Sequence, residues 1–184
     1  HAAPMLSLEN AYTDDELREF DARVRRGLGL ADDAPPLGYV AELKIDGLSL
    51  ALTYEDGRLI RGVTRGDGIR GEDVTSNVRV IRAIPLRIDN APGRIEIRGE
   101  AYLSRQAFDR VNREREEAGE PLFANPRNAA AGTMRTLDPK AVSRRGLSAF
   151  FYQLVVPAGA GPLDASHADA LGRIAAWGLP VEPH

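Results

Sequence analysis

Polar and apolar residues alternate most cleanly over Arg94-Ile95-Glu96-Ile97-Arg98-Gly99-Glu100-Ala101-Tyr102-Leu103. Ile95, Ile97, Ala101 and Leu103 fall on one face and Arg94, Glu96, Arg98 and Glu100 on the other, a period of two that predicts a strand. Spacing alone favours a half-exposed strand with cross-strand ion pairs. A second apolar run, residues 39–52, is interrupted by Glu42-Leu43-Lys44-Ile45-Asp46-Gly47. It reads as a buried strand, a tight turn at Asp46-Gly47 and a second strand. On that reading Leu43 and Ile45 face the core, while Glu42, Lys44 and Asp46 share the opposite face and line something polar.

Helical spacing appears elsewhere. Thr13-Asp14-Asp15-Glu16 has the form of a capping box, followed by Leu17, Phe20, Val24 and Leu28 on one face, with Gly27 or Gly29 as the stop. Ser104 caps a helix that carries Phe108 and Val111 and ends at Gly119. Asp138-Pro139 opens a short helix with Pro at its first position. Residues 165–177 form the final helix, stopped by Gly178. Between these, Asp56-Gly57 predicts a hairpin whose return strand runs from about Leu59 to Arg65. Val74, Val78 and Ile81 mark a short helix, residues 147–156 an apolar strand, and residues 157–162 a loop. Hairpins and meanders with intervening helices imply an α+β fold, antiparallel sheets packed with helices.

Composition narrows the classes. The chain has 184 residues, enough for one domain with its own core, and 43% hydrophobic and 28% charged residues are ordinary for a soluble globular protein. No apolar stretch approaches the roughly 20 residues of a membrane span, and no secretory leader pattern is present. Zero Cys excludes disulfides and Cys-ligated zinc and fits a reducing compartment, the cytoplasm. His1, His167 and His184 lack metal-ligand spacing, so no metal ligand is assigned. A net charge of −3 argues against a globally basic nucleic-acid binder, though local Arg clusters can contact phosphates.

The candidate chemistry centres on Lys44. Cations in this chain are almost always Arg; Lys occurs only at Lys44 and Lys140. Arg does not serve as an amine nucleophile, whereas a lysine can when its surroundings lower its affinity for the proton. Spacing alone favours a structural ion pair with Glu42 or Asp46; the alternative is a nucleophile held between two carboxylates. Gly66-Asp67-Gly68-Ile69-Arg70-Gly71 matches a dinucleotide-binding fingerprint by letter. Asp67, Glu72 and Asp73, however, put negative charge where pyrophosphate would sit, and the preceding meander has the wrong topology. It reads instead as a glycine loop. Asn125-Pro126-Arg127-Asn128-Ala129-Ala130-Ala131-Gly132-Thr133-Met134-Arg135 is small and basic: either a short alanine helix packed on a neighbour, or a site where Arg127 and Arg135 bind phosphate oxygens.

Lys44-Ile45-Asp46-Gly47 is the K-x-D-G pattern of covalent nucleotidyltransferases. The flanks narrow the likeness: residues 4–12, residues 64–77, Arg98-Gly99-Glu100 and residues 125–137 resemble, in order, the bacterial NAD-dependent DNA ligases. The resemblance covers nearly the whole chain and implies the nucleotidyltransferase fold of the adenylation domain, with the nucleotide between sheet elements. It also implies that Lys44 attacks the α-phosphorus of NAD and carries AMP, which then passes to a nick in duplex DNA. Asp46 would orient or tune Lys44; Glu42 would hold adenine; Arg65 would contact the adenylate ribose and phosphate; Glu100 would bind ribose hydroxyls. Ser7 and Leu8 would lie along the NAD site, and Arg127 and Arg135 would contact DNA or phosphate. Mg²⁺ or Mn²⁺ is the implied metal, and a monomer in replication and repair the implied context. The family's further lysines, one in a Gly-Val-Val-Lys strand, have no counterpart after Lys140. The part that reads nicotinamide mononucleotide, the OB-fold, the zinc module and the helix-hairpin-helix part have none either. The expectation is one partial adenylation domain, residues 1–184, impaired or inactive by itself. Two other readings remain: an ATP- or GTP-using relative, recognised by adduct formation with ATP but not NAD, and a non-catalytic binding module in which Lys44 is an ion-pair partner and Lys44→Ala costs stability.

Overall fold

The computed structural model describes residues 1–31, 33–156, 161 and 163–183. Among these the order of elements is α1 (Asp14–Gly27), β1 (Leu48–Glu55), β2 (Arg58–Thr64), α2 (Thr75–Val78), β3 (Arg94–Tyr102), α3 (Arg105–Glu117), α4 (Pro126–Met134), α5 (Pro139–Arg145), β4 (Ser148–Val155) and α6 (His167–Ala176). The four strands form one antiparallel sheet in the order β2-β1-β3-β4, so the fold is α+β as the pattern predicts. No helix among the described residues is long and apolar enough to cross a membrane.

The chain divides into two compact units, one of His1–Met5 with Glu42–His184 and one of Leu6–Ala41. The smaller unit is built on α1. Its capping box forms as expected: the Thr13 hydroxyl accepts from the Glu16 amide while the Glu16 carboxylate accepts from the Thr13 amide. The helix ends in a Schellman turn, with Gly29 at φ +66° donating to the Arg26 carbonyl and Leu30 to Arg25. Its apolar residues do not make a core, for Leu17 and Leu28 are exposed and no side chain of α1 is buried. Within this unit Phe20 meets the ring of Tyr39 at 6.0 Å.

The larger unit holds the sheet. Asp56 and Gly57 both take positive φ (47° and 74°), which makes the β1–β2 connection a two-residue turn of the hairpin type. The core lies on one face, where Leu50, Leu52 and Tyr54 of β1 register against Gly99, Ile97 and Ile95 of β3, and Ala149 and Phe151 of β4 continue the layer. Val74, Val78, Ala129, Ala130, Met134, Val142 and Ile174 cover it from the helices. Residue 99 has to be glycine, because a Cβ there would collide with the Phe150 carbonyl and the Phe151 ring.

Three expectations need correction. Residues 39–46 form no strand; pairing starts at Leu48, opposite Ala101, because only from there does β1 find hydrogen-bonded neighbours. Leu43 is 63% exposed and does not face the core. The alternating strand is not half-exposed: β3 lies between β1 and β4, and Glu96, Arg98 and Glu100 on its polar face are all buried. The last helix begins at His167 rather than 165, where the Ser166 hydroxyl accepts from the Asp169 amide and caps it. The expected loop at 157–162 lies outside the described residues apart from Gly161.

Candidate functional site

The site takes shape where the residues after the unpaired segment 42–46 enter β1. Gly47 is forced there by contact: a Cβ would run into the Ala101 carbonyl of β3. With β1 drawn this close, the Gly47 amide donates to Glu100 Oε1 at 3.2 Å and the Ser49 hydroxyl donates to Glu100 Oε2 at 2.7 Å. Ser49 and Glu100 are register partners across β1 and β3. Asp46, one residue earlier, accepts from Arg127 at 3.0 Å, which ties the first turn of α4 to the same place. Asn125 caps α4 by accepting from the Asn128 amide, and Pro126 starts it. The basic stretch is therefore a short alanine helix with Ala129 and Ala130 packed into the core, and it also carries Arg127 toward the acidic residues.

Burial raises the Glu100 carboxyl above its ordinary range, against the hydrogen bonds from Ser49 and Gly47 and the positive charges of Arg127 and Lys44. Lys44, itself exposed, is thus close enough for its ammonium to act on Glu100. The phenol of Tyr152 on β4 is likewise raised, first by burial and then by the negative charge of Glu100. Arg65 follows β2; its amide donates to the Ser49 carbonyl at 3.1 Å, and its side chain acts on Tyr152. Glu100 thus lies under the positive charges of Lys44 and Arg127, with Asp46 joined to Arg127 and Arg65 held beside Ser49 and Tyr152.

Of the other expected residues, Glu42 and Arg135 have partners outside this group. Glu42 accepts from the His167 imidazole Nε2 at 2.9 Å. Arg135, the C-cap of α4, donates to Glu72 at 3.0 Å. Ser7 and Leu8 belong to the smaller unit, where Leu8 is 75% exposed. Ser49, Tyr152 and His167 were not singled out in the sequence. Ser49 joins Glu100 through strand register, Tyr152 nears it from β4 at the irregularity opposite Arg98 and Gly99, and His167 meets Glu42 across 125 residues, so none of these signals is local. A surface cleft lined by Arg87, Asp89, Asp164 and Trp177 shares no residue with the group. Among the described residues no three His, Asp or Glu side chains cluster to hold a metal ion.

The family model of the NAD-dependent DNA ligase adenylation domain matches residues 1–184. The chain belongs to that family. It is 52% identical over 183 residues to a DNA ligase of Desulforamulus reducens and to one of Heliobacterium modesticaldum, and 53% identical over 186 residues to one of Paramagnetospirillum magneticum. In each case the whole chain is covered, along with 26% of the relative. The chain thus spans about a quarter of the length of the curated relatives it matches. The α+β sheet and helices described above are the architecture of this adenylation-domain chain.

Proposed function

We propose that Lys44 is the nucleophile of a covalent adenylyl transfer from NAD, the first step in sealing nicks in duplex DNA by the longer ligase. In that step the Lys44 Nζ–phosphorus bond forms, the phosphoanhydride bond to nicotinamide mononucleotide breaks, and the amine loses a proton. The observation that carries the reading is the buried Glu100 under the positive charges of Lys44 and Arg127, with Asp46 bonded to Arg127 and Arg65 held at Ser49, the residue that donates to Glu100. A lysine amine beside fixed cations and acceptors suits phosphoryl transfer, where catalysis rests on positioning and on stabilising developing charge. Glu100 can accept from ribose hydroxyls with the oxygens now bonded to Gly47 and Ser49. Arg65 and Arg127 offer guanidinium forks to phosphate oxygens. Asp46 sets the Lys44 backbone through its link to Arg127. Glu42 would meet adenine after leaving His167, with Ser7 and Leu8 along the dinucleotide and Arg135 toward DNA.

Mg²⁺ (or Mn²⁺) would come on the phosphates, with water and few protein ligands, and the roles given to these residues do not involve it. The setting we infer is a cytoplasmic, monomeric enzyme of DNA replication and repair. Intact mass after incubation with NAD and Mg²⁺ tests the reading, on this chain and on the full-length ligase. An AMP-sized adduct on the wild-type protein and none on Lys44→Ala supports it; an adduct that persists in Lys44→Ala, or none even on the full-length ligase, overturns it.

A further inference from the structure

The polar face of β3 carries a buried pair that the adenylation chemistry does not use. Arg98 Nε donates to Glu96 Oε1 at 2.8 Å, and both side chains are 4% exposed. The pair does not close on itself. Arg98 uses its two terminal nitrogens on other groups, donating to the carbonyl of Ala3, to the carbonyl of Pro4 at 3.1 Å and to Gln153 Oε1 at 3.4 Å. Glu96 Oε2 accepts the Ala2 amide at 2.8 Å. Both partners therefore grip the same segment, His1–Met5.

That segment then meets the loop after β2. The Met5 amide donates to the Gly68 carbonyl at 2.8 Å, and the His1 Nε2 lies 3.0 Å from the Arg65 carbonyl. Gly68 has φ +91°, and a Cβ there would come within 2.8 Å of the Met5 carbonyl, so the path of the segment needs glycine at this point. Inside the loop, Gly68 donates to Arg65 at 3.0 Å and Asp67 to Arg70 at 3.2 Å, and Asp67 Oδ1 accepts from the amides of Ile69 and Arg70. The loop is thus braced internally and tied outward by the His1–Met5 segment on one side and by the Arg65–Ser49 bond to β1 on the other.

We propose that the Glu96–Arg98 pair is a clamp that holds His1–Met5 across the sheet and, through it, sets the backbone of the loop carrying Arg65. Arg98 is then a positioning residue for the nucleotide site, and this last clause rests on the function proposed above. Arginine suits the place because its planar fork spreads donors over three nitrogens toward a carboxylate and two carbonyls, whereas the three donors of an ammonium radiate from a single nitrogen.

The test is amide hydrogen exchange of the whole chain, wild type against Arg98→Lys and Met5→Pro. Arg98→Lys keeps a cation beside Glu96 and removes the fork. Met5→Pro keeps both members of the pair and removes the amide given to Gly68 together with the buried Met5 side chain, so Met5→Ala, which removes the side chain and keeps the amide, is its control. In Arg98→Lys the amides of Met5, Asp67 and Gly68 are expected to exchange about tenfold faster or more, the scale of one lost charge-assisted hydrogen bond. In Met5→Pro the same is expected of Asp67 and Gly68, with the β1–β3 amides at wild-type rates in both. Unchanged rates at Met5 and Gly68 in Arg98→Lys overturn the clamp, and unchanged loop rates in Met5→Pro overturn its reach to Arg65. If Arg98→Lys loosens the entire sheet, Met5→Pro decides alone. In the ligase that forms the Lys44 adduct, Arg98→Lys is expected to raise KM for NAD several-fold with kcat little changed. A wild-type protein that forms no adduct counts against the Lys44 reading and leaves the exchange result standing.

Discussion

Two triplets in this chain share one written form, acid-x-base-x-acid: Glu42-x-Lys44-x-Asp46 and Glu96-x-Arg98-x-Glu100. The second lies on a strand paired on both sides and is buried throughout; its arginine is locked to Glu96. The first has no paired neighbour and is exposed, and its two acids pair elsewhere, Glu42 with His167 and Asp46 with Arg127. Among the described residues Lys44 itself forms no ion pair. Strand neighbours make the difference. A residue within a sheet has its side chain's surroundings fixed by register, and burial there makes an unpaired charge costly. A residue ahead of the sheet keeps its charge in water and is available to a ligand. The same pattern thus serves structure in one place and suits chemistry in the other.

Changes at the buried triplet should cost most. Arg98→Ala strands the Glu96 carboxylate, and urea unfolding is expected to show a loss of about 3–5 kcal/mol; a loss under about 1 kcal/mol would mean that water or a neighbour already serves the pair. Next comes Gly47→Ala, which forces β1 off the Ala101 carbonyl and should cost about 1–3 kcal/mol. It should also loosen Glu100, whose Oε1 takes the Gly47 amide.

Glu100 sharpens the contrast through pH. Its folded pKa is raised, so folding favours the protonated carboxyl. That contribution is complete below the ordinary glutamate pKa of 4.5 and is lost as pH rises through the higher folded value. The stability of wild type relative to Glu100→Gln should therefore fall with pH above 4.5, by no more than about 1.4 kcal/mol per pH unit, and level off once the folded carboxyl has ionised. A difference that rises over that range would reverse the assigned cause.

At the exposed triplet the effects should be small. A double-mutant cycle on Asp46 and Arg127, 70% and 52% exposed, should give a coupling of about 1 kcal/mol or less that fades with salt. Lys44→Ala should change stability by no more than about 0.5 kcal/mol while abolishing the AMP adduct. A substantial stability loss there would restore the reading of Lys44 as a structural ion-pair partner.

Local chemistry was legible without the structure. The Thr13 capping box, the Asp56-Gly57 turn, the Ser104 and Asp138 helix starts and the two faces of β3 depend on neighbours within a few residues, so the sequence of amino acids alone determined them. The Lys44 motif and its flanks pointed to the family in the same way, as short strings with fixed order. Tertiary structure decided which alternation is buried, since that depends on β1 and β4 flanking β3 and on His1–Met5 covering its polar side. It also decided that Ser49 joins Glu100 by strand register, that Tyr152 nears it at an irregularity of the β3–β4 pairing, and that His167 takes Glu42 across 125 residues. Period two tells a strand which residues share a face; only the packing around that face tells whether it meets water or protein.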